Sequence, residues 1–252
     1  KDGTVLESTT AGAPFSHVYM LPGDYLPVLT LITQDDCSIT SSPKAVHITP
    51  LPVATFSSST PSCEKRAIQF TDQSTTLEGT ITTWNWNFGD GQTATTQNPQ
   101  HTYTTAGSYT VSLTVRTSLG CEQSSSATVI VVNALPIVDF ITPSFCLSDI
   151  TASFPNQSTN ADGSTTNLTY AWNFGDALKS TPSNPNTATS RNPTHNYSDP
   201  GDYLISLEVS TAEGCSVTQT KTFRVNGINP VADFEVVNPS NLCSKNSVSF
   251  IN

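Results

Sequence analysis

Apolar and polar residues alternate with a period of two along short stretches of this chain. Tyr109-Thr110-Val111-Ser112-Leu113-Thr114-Val115 puts its odd-numbered residues on one face, and Tyr203-Leu204-Ile205-Ser206-Leu207-Glu208-Val209 follows the same pattern. Such alternation marks a strand with one buried and one wet face. Thr128-Val129-Ile130-Val131-Val132 and Ala67-Ile68-Gln69-Phe70-Thr71 are short and rich in β-branched or aromatic residues, which also favours strand. Gly, Pro, Asn, Asp and Ser punctuate the intervals, as at Asp90-Gly91 and Leu119-Gly120, and predict turns. No window combines a helical period with good helix formers.

The pattern recurs. Trp86-Asn87-Phe88-Gly89-Asp90-Gly91 returns as Trp172-Asn173-Phe174-Gly175-Asp176-Ala177. His101-Thr102-Tyr103 followed by Gly107-Ser108-Tyr109 returns as His195-Asn196-Tyr197 followed by Gly201-Asp202-Tyr203. An earlier copy of that tail stands at His17-Val18-Tyr19 and Gly23-Asp24-Tyr25. Pro52, Pro136 and Pro230 open the same five-residue phrase, at intervals of 84 and 94 residues. Fixed-period self-similarity predicts a tandem array. The modules are read as 1–50 (the rear part of a first), 51–134 (a second), 135–228 (a third) and 229–252 (the opening strands of a fourth). On this reading the chain is a piece of a longer protein.

Short strands, frequent turns and a module of under about a hundred residues predict an all-β chain of tandem immunoglobulin-like antiparallel β-sandwiches in an elongated array. In the second module, strand A is placed at 53–57, B at 67–72, C at 82–88, D and E within 92–103, F at 108–116 and G at 124–132. The third module has a longer C-to-E excursion, 177–194, rich in Ser, Thr, Asn and Pro and expected as an exposed loop.

Only 12% of residues are charged, so the surface must be built of hydroxyls and amides. The net charge of −10 is spread without an acidic run, and the ten basic residues form no cluster. This argues against nucleic acid, whose phosphates need grouped Lys and Arg. No apolar run is long enough to span a bilayer, so no membrane insertion is expected in this segment.

The string Trp86 to Gly91, then Asn98-Pro99 with His101 and Tyr103, then Gly107, Tyr109, Val111, Leu113 and Val115 resembles the PKD domain, named for the polycystic kidney disease protein. The resemblance covers the second and third modules fully and the two partial ones in part. Ala177 departs from it, standing where the family has Gly. The resemblance implies an immunoglobulin-like sandwich without catalytic activity. The Cys pair in each module and the strand B endings Asp72-Gln73-Ser74 and Asn156-Gln157-Ser158 are similar to PKD repeats of very large surface adhesins. Those belong to gliding bacteria of the Bacteroidetes lineage and are exported by the type IX system.

Several residues suggest chemistry. Asp90 and Asp176 follow Gly in the turn after strand C. They read as turn-holding carboxylates that accept backbone N–H bonds; Ca²⁺ ligation is the alternative, though no spaced set of carboxylates accompanies them. His17, His101 and His195 recur two residues before a Tyr. A zinc site would have only one His per module to work with, so a His bonded within its module, to the nearby Asp, is preferred. No cofactor is therefore expected. Trp86 and Trp172 read as core residues of strand C. Trp84 lies on the same strand face as Trp86 and is the candidate for stacking a sugar. Tyr103, Tyr109, Tyr197 and Tyr203 complete the repeated framework. No nucleophile–base pair or phosphate loop stands out.

The six cysteines occupy two module positions: Cys63, Cys146 and Cys243 before strand B, and Cys37, Cys121 and Cys215 after strand F. Two per module suggest an oxidising compartment and disulfides. In an immunoglobulin-like sandwich the A–B and F–G turns lie at opposite ends, more than about 20 Å apart for strands of about seven residues. Disulfide Cα atoms lie within about 7 Å. The preferred pairing is therefore Cys63–Cys215, bridging the second module to the third. Cys121 and Cys146 would then pair with modules beyond this stretch. The intramodule pairs Cys63–Cys121 and Cys146–Cys215 are the alternative.

Two functions follow. One is a non-catalytic spacer in an extracellular or cell-surface adhesin filament serving gliding or attachment. Its partners would be neighbouring modules, surface polysaccharide or other surface proteins. The other is an accessory region of a secreted hydrolase. A third, weaker reading is a carbohydrate-binding module using Trp84.

Overall fold

The computed structural model describes residues 4–8, 14–147, 149, 151–227, 233, 235–236 and 250–251. Among the described residues the regular elements are strands, apart from one short 3₁₀ turn. The chain divides into two compact units, residues 1–133 and 134–252.

Unit 1 opens with β1 (Gly23–Tyr25), β2 (Thr30–Ile32), β3 (Ser38–Thr40) and β4 (Val46–Ile48). β1 pairs antiparallel with β4, and β2 with β3. There follow β5 (Phe56–Ser58), β6 (Ala67–Asp72), β7 (Ile81–Asn87), β8 (Thr93–Ala94), β9 (Gln100–Thr102), β10 (Gly107–Thr117), β11 (Glu122–Ser124) and β12 (Thr128–Val132). One sheet runs β5-β6-β9. The other runs β8-β7-β10, with β11 and β12 both paired to β10. These are the A-B-E and G-F-C sheets of an immunoglobulin-like sandwich.

The period-two alternation decides which side chains meet between the sheets. Ile68 and Phe70 of β6 face Trp86 of β7, Val111, Leu113 and Val115 of β10, and Ile130 and Val132 of β12; all are buried. The intervening residues of these strands stay at least partly exposed. Strand G is split, because Ser125 N–H donates to Leu113 O while Ser125 Oγ accepts from Leu113 N–H. A hydroxyl thus replaces one rung of the ladder.

Unit 2 repeats the plan with β13 (Phe145–Cys146), β14 (Ala152–Ser153), β15 (Thr169–Asn173), β16 (Thr187–Ala188), β17 (Thr194–His195), β18 (Gly201–Ser210) and β19 (Ser216–Asn226). Strand G is continuous here, since β18 and β19 pair without a break from Gly201↔Val225 to Ser210↔Ser216. Phe140, Phe154, Trp172, Phe174, Ile205, Leu207 and Phe223 fill the core. The 177–194 excursion carries a single 3₁₀ turn, Ala177–Lys179, and is mostly exposed, with Leu178 fully in solvent. β20 (Glu235–Val236) pairs with β21 (Phe250–Ile251). Most of 229–252, including Cys243, lies outside the described residues.

The pairing is not antiparallel throughout. In unit 2, β13 runs parallel to β19, with Phe145 opposite Val225 and Cys146 opposite Asn226. In unit 1, Cys63 bridges Asn133 in the same sense. The first strand leaves the A-B-E sheet and finishes beside the last strand of its own module. The regular part of strand A begins at Phe56 instead of 53, with only a lone bridge from Val53 to Thr75 ahead of it, because Thr55 N–H donates to the Ser74 hydroxyl at 3.2 Å where a ladder bond would form.

Candidate functional site

The repeated motif assembles into one structure at the turn after strand C. Gly89 sits at φ +81°, and a Cβ there would lie 2.5 Å from Thr110 O and 2.8 Å from Thr110 N. Gly175 repeats this at φ +71°, against Leu204 O at 2.8 Å. Only Gly allows both the left-handed conformation and this close backbone approach. Asn87 Oδ1 and Asn173 Oδ1 accept from Gly89 and Gly175 N–H, each at 2.9 Å.

The turn carboxylates meet the histidines. His101 Nε2 lies 2.7 Å from Asp90 Oδ2, and His195 Nε2 lies 3.2 Å from Asp176 Oδ2. Asp90 Oδ1 also accepts Gln92 N–H at 3.0 Å. Burial opposes ionisation of Asp90, but the Gln92 N–H and His101 hold its carboxyl below the ordinary range. Asp176 differs, with its own N–H donating to Asn186 Oδ1 at 2.6 Å. That reflects the rebuilt turn following Ala177.

The rings stack into a column. Phe88 lies on His101 at 4.1 Å, His101 meets Tyr103 edge-on at 4.5 Å, and Tyr103 lies on Tyr109 at 4.0 Å. The series recurs from Phe174 through His195 and Tyr197 to Tyr203. His17, Tyr19 and Tyr25 form its end in the 1–50 segment, at 4.6 and 4.1 Å. Tyr103 and Tyr197 donate to Phe88 O and Phe174 O at 2.9 and 3.0 Å. Burial pushes both phenols well above the ordinary range, with the nearby Asp90 and Asp176 carboxylates adding to it. Tyr25, Tyr109 and Tyr203 each donate to a carbonyl four residues upstream at 2.9 Å, the corner that ties strand F to the preceding loop. His195 Nδ1 is buried without a hydrogen-bond partner.

Trp84 is half-buried against the unit 1 core, and its Nε1–H donates to Asp72 Oδ2 at 2.7 Å. An open surface depression of about 320 Å³ lies beside it, lined by Thr83, Asn85, Thr114, Arg116 and Glu122. The indole is thus engaged within its own module. Among the described residues, no group of three or more His, Cys, Asp or Glu side chains is placed to hold a metal. No helix of the described residues is long and apolar enough to cross a membrane.

Cys63 and Cys215 are both disulfide-bonded. Cys37, Cys121 and Cys146 are free thiols, so neither intramodule pair, Cys63–Cys121 or Cys146–Cys215, forms. The opposed A–B and F–G turns account for this.

Sequence reasoning placed Asn98 in the motif without a role, and gave no role to Asn133, Asn192 or Asn226. Asn98 Oδ1 and Asn192 Oδ1 accept from Asp72 and Asn156 N–H at 2.9 Å. Asn133 and Asn226 side chains donate to Ser62 O and Phe145 O at 3.4 and 3.1 Å. Their signal was present, since each Asn recurs at the same module position.

Over a short stretch the chain is 46% identical to collagenase ColQ1 of Bacillus cereus, covering 27% of this chain and 7% of the collagenase. It is 39% identical to pre-pro-metalloprotease PrtV of Vibrio cholerae, covering 29% of this chain and 8% of the protease. The matched stretches are thus under a tenth of either enzyme. Among solved structures, the PKD1 domain of Vibrio cholerae PrtV is 34% identical, covering 33% of this chain and 98% of that domain at a TM-score of 0.30. The PKD1 domain of Vibrio anguillarum Epp is 30% identical, covering 34% and 98% at a TM-score of 0.32. The PKD domain model matches residues 49–132 and again residues 133–226, well over half of the sequence, and the chain belongs to the PKD domain family.

Proposed function

We propose that the chain is a non-catalytic, load-bearing spacer of a very large extracellular repeat protein, a cell-surface adhesin filament serving attachment or gliding. On this reading residues 1–50 and 229–252 are the rear and front portions of further modules. The observation that carries it is the parallel pairing of first and last strands. Tension enters a module near its first strand and leaves at its last. Parallel strands pulled from those ends are loaded along their length, so their cross-strand bonds share the force instead of opening one by one. In unit 2 those bonds include Leu147 N–H to Asn226 O at 3.1 Å, and in unit 1 Glu64 N–H to Asn133 O at 2.9 Å.

The spacer is stapled by a Cys63–Cys215 disulfide joining consecutive modules. The disulfide-bonded state of these two cysteines, with Cys121 and Cys146 free, supports it. Disulfides also fit an extracellular site. A staple across a junction lets tension bypass the short proline-marked linker. Non-reducing peptide mapping tests the staple, and recovery of Cys63 joined to any other cysteine overturns it. Single-molecule pulling of the disulfide-reduced chain tests the load path, since an intact staple would carry tension from Cys63 straight to Cys215 and leave both parallel pairs unloaded. Asn226→Ala is expected to lower the unfolding force of one module and leave the other unchanged; an unaltered force refutes the clamp.

A second reading, an accessory region of a secreted hydrolase, is favoured by the likeness to a collagenase and a metalloprotease. The parent chain separates the two. Repeats of this period over most of its length support the filament, and a catalytic domain with few repeats supports the accessory role.

A further inference from the structure

His47 stands directly opposite Asp24 in the β1–β4 pair, and its two ring nitrogens face two different carboxylates. Nδ1 lies 2.6 Å from Asp24 Oδ1, and Nε2 lies 2.9 Å from Glu78 Oε2. Asp24 belongs to the hairpin of the 1–50 segment. Glu78 belongs to the loop between β6 and β7 of the following sandwich, held in shape by Thr76 Oγ1–H donating to Glu78 O at 2.8 Å. One imidazole therefore spans two modules within unit 1.

The chemistry of the ring makes this contact conditional. A neutral imidazole carries one N–H; its other nitrogen is a bare acceptor. With a carboxylate at each nitrogen, the neutral ring satisfies one partner and sets a lone pair against the other. Only the imidazolium donates to both. A single metal ion does not fit, because the two carboxylates approach opposite edges of the ring.

The register isolates what is special here. The pair equivalent to Asp24 and His47 is Ser108 with Val131 in one sandwich and Asp202 with Arg224 in the other. Arg224 lies 4.0 Å from Asp202, and a guanidinium, unlike an imidazole, does not lose its charge near neutral pH. Of the three, only the first pair carries a base that titrates near neutral pH.

We propose that His47 is a protonation-controlled latch that fastens the β1–β4 hairpin to the sandwich of β5 to β12 in its doubly protonated state and releases it as pH rises. The proposal goes beyond the spacer reading and holds for either parent protein. The charged groups facing the ring are Asp24 from β1 and Glu78 from the β6–β7 loop. Its neighbours along β4, Val46 and Ile48, are apolar. The hydrogen bond to Asp24, then that to Glu78, raises the imidazole pKa above its ordinary 6.5. A raised pKa means that the latch is fully closed below the ordinary value and is lost as pH climbs through the raised one. The ring is about half exposed, with a side-chain accessibility of 51%. Salt should therefore weaken the latch.

Histidine NMR titration of the 252-residue chain, with residual dipolar couplings for 23–48 and 67–117, tests this. The expected result is a His47 midpoint above the ordinary value that falls in both Glu78→Gln and Asp24→Asn. The two segments should align as one body below that midpoint and independently above it. His47→Gln should align independently at every pH. Cross-strand contacts between Gly23 and Ile48 report whether the hairpin itself persists. An unshifted His47 midpoint, a midpoint indifferent to Glu78→Gln, alignment that ignores pH, or a hairpin absent throughout would each overturn the proposal.

Discussion

Replacing Gly89 by Ala adds one methyl group to a turn that has no room for it. The residue is held at φ +81°, and the new Cβ would stand 2.5 Å from a backbone oxygen of β10. The left-handed conformation costs a non-glycine residue about 1–2 kcal/mol. Forcing strand and turn apart adds about 1–3 kcal/mol, the usual penalty of overpacking. A module of this size has a total stability of roughly 4–13 kcal/mol, so the sum takes a large share of it. At about 4–8 °C per kcal/mol for a domain under a hundred residues, module melting should fall by roughly 10 °C or more. Gly91→Ala is the matched control. Gly91 sits at φ +89° with nothing within 4 Å of its would-be Cβ, so only the conformational cost of about 1–2 kcal/mol applies. Urea unfolding followed by amide signals of Leu113 and Val115 isolates this module from its neighbour. Equal losses in the two variants, or a loss below about 1 kcal/mol for Gly89→Ala, would refute the claim that close backbone approach demands this glycine.

Tyr103→Phe strands the buried carbonyl of Phe88 and should cost about 1–3 kcal/mol, read from the same unfolding curves. Trp84→Phe removes a donor to Asp72. Burial opposes ionisation of Asp72, but bonds from Ser74, Trp84 and Gln97 hold its carboxyl below the ordinary value. A depressed pKa stabilises the fold above the unfolded value and the gain is lost as pH falls through the folded one. The acid-unfolding midpoint of Trp84→Phe should therefore move to higher pH, with the Asp72 carboxyl titrating higher by NMR. Trp172→Ala empties the centre of the unit 2 core and should cost about 3–5 kcal/mol, leaving exchange protection of β10 intact.

Much of this protein is written in alternation and repetition. Tyr109 to Val115 can bury one face only as a strand, so the sandwich follows from the period. The recurrence of Trp, Gly, Asp, His and Tyr at one spacing marks a shared scaffold, since each module must solve the same turn. Other features were invisible because they depend on residues far apart in sequence. Ser125 interrupts a ladder only because Leu113 lies opposite it. The first strand changes sheets to run parallel with the last, an association between positions 63 and 133 that no local pattern encodes. Asn133 and Asn226 look like ordinary linker amides until that pairing makes them clamps. His47 is one polar residue on a short strand, and it becomes a bridge only when folding brings Glu78 to its far nitrogen. Local pattern sets which faces are apolar, and therefore the class of fold. Register and loop placement set which polar atoms meet, because hydrogen bonds act over about 3 Å and only the folded chain brings distant groups that close.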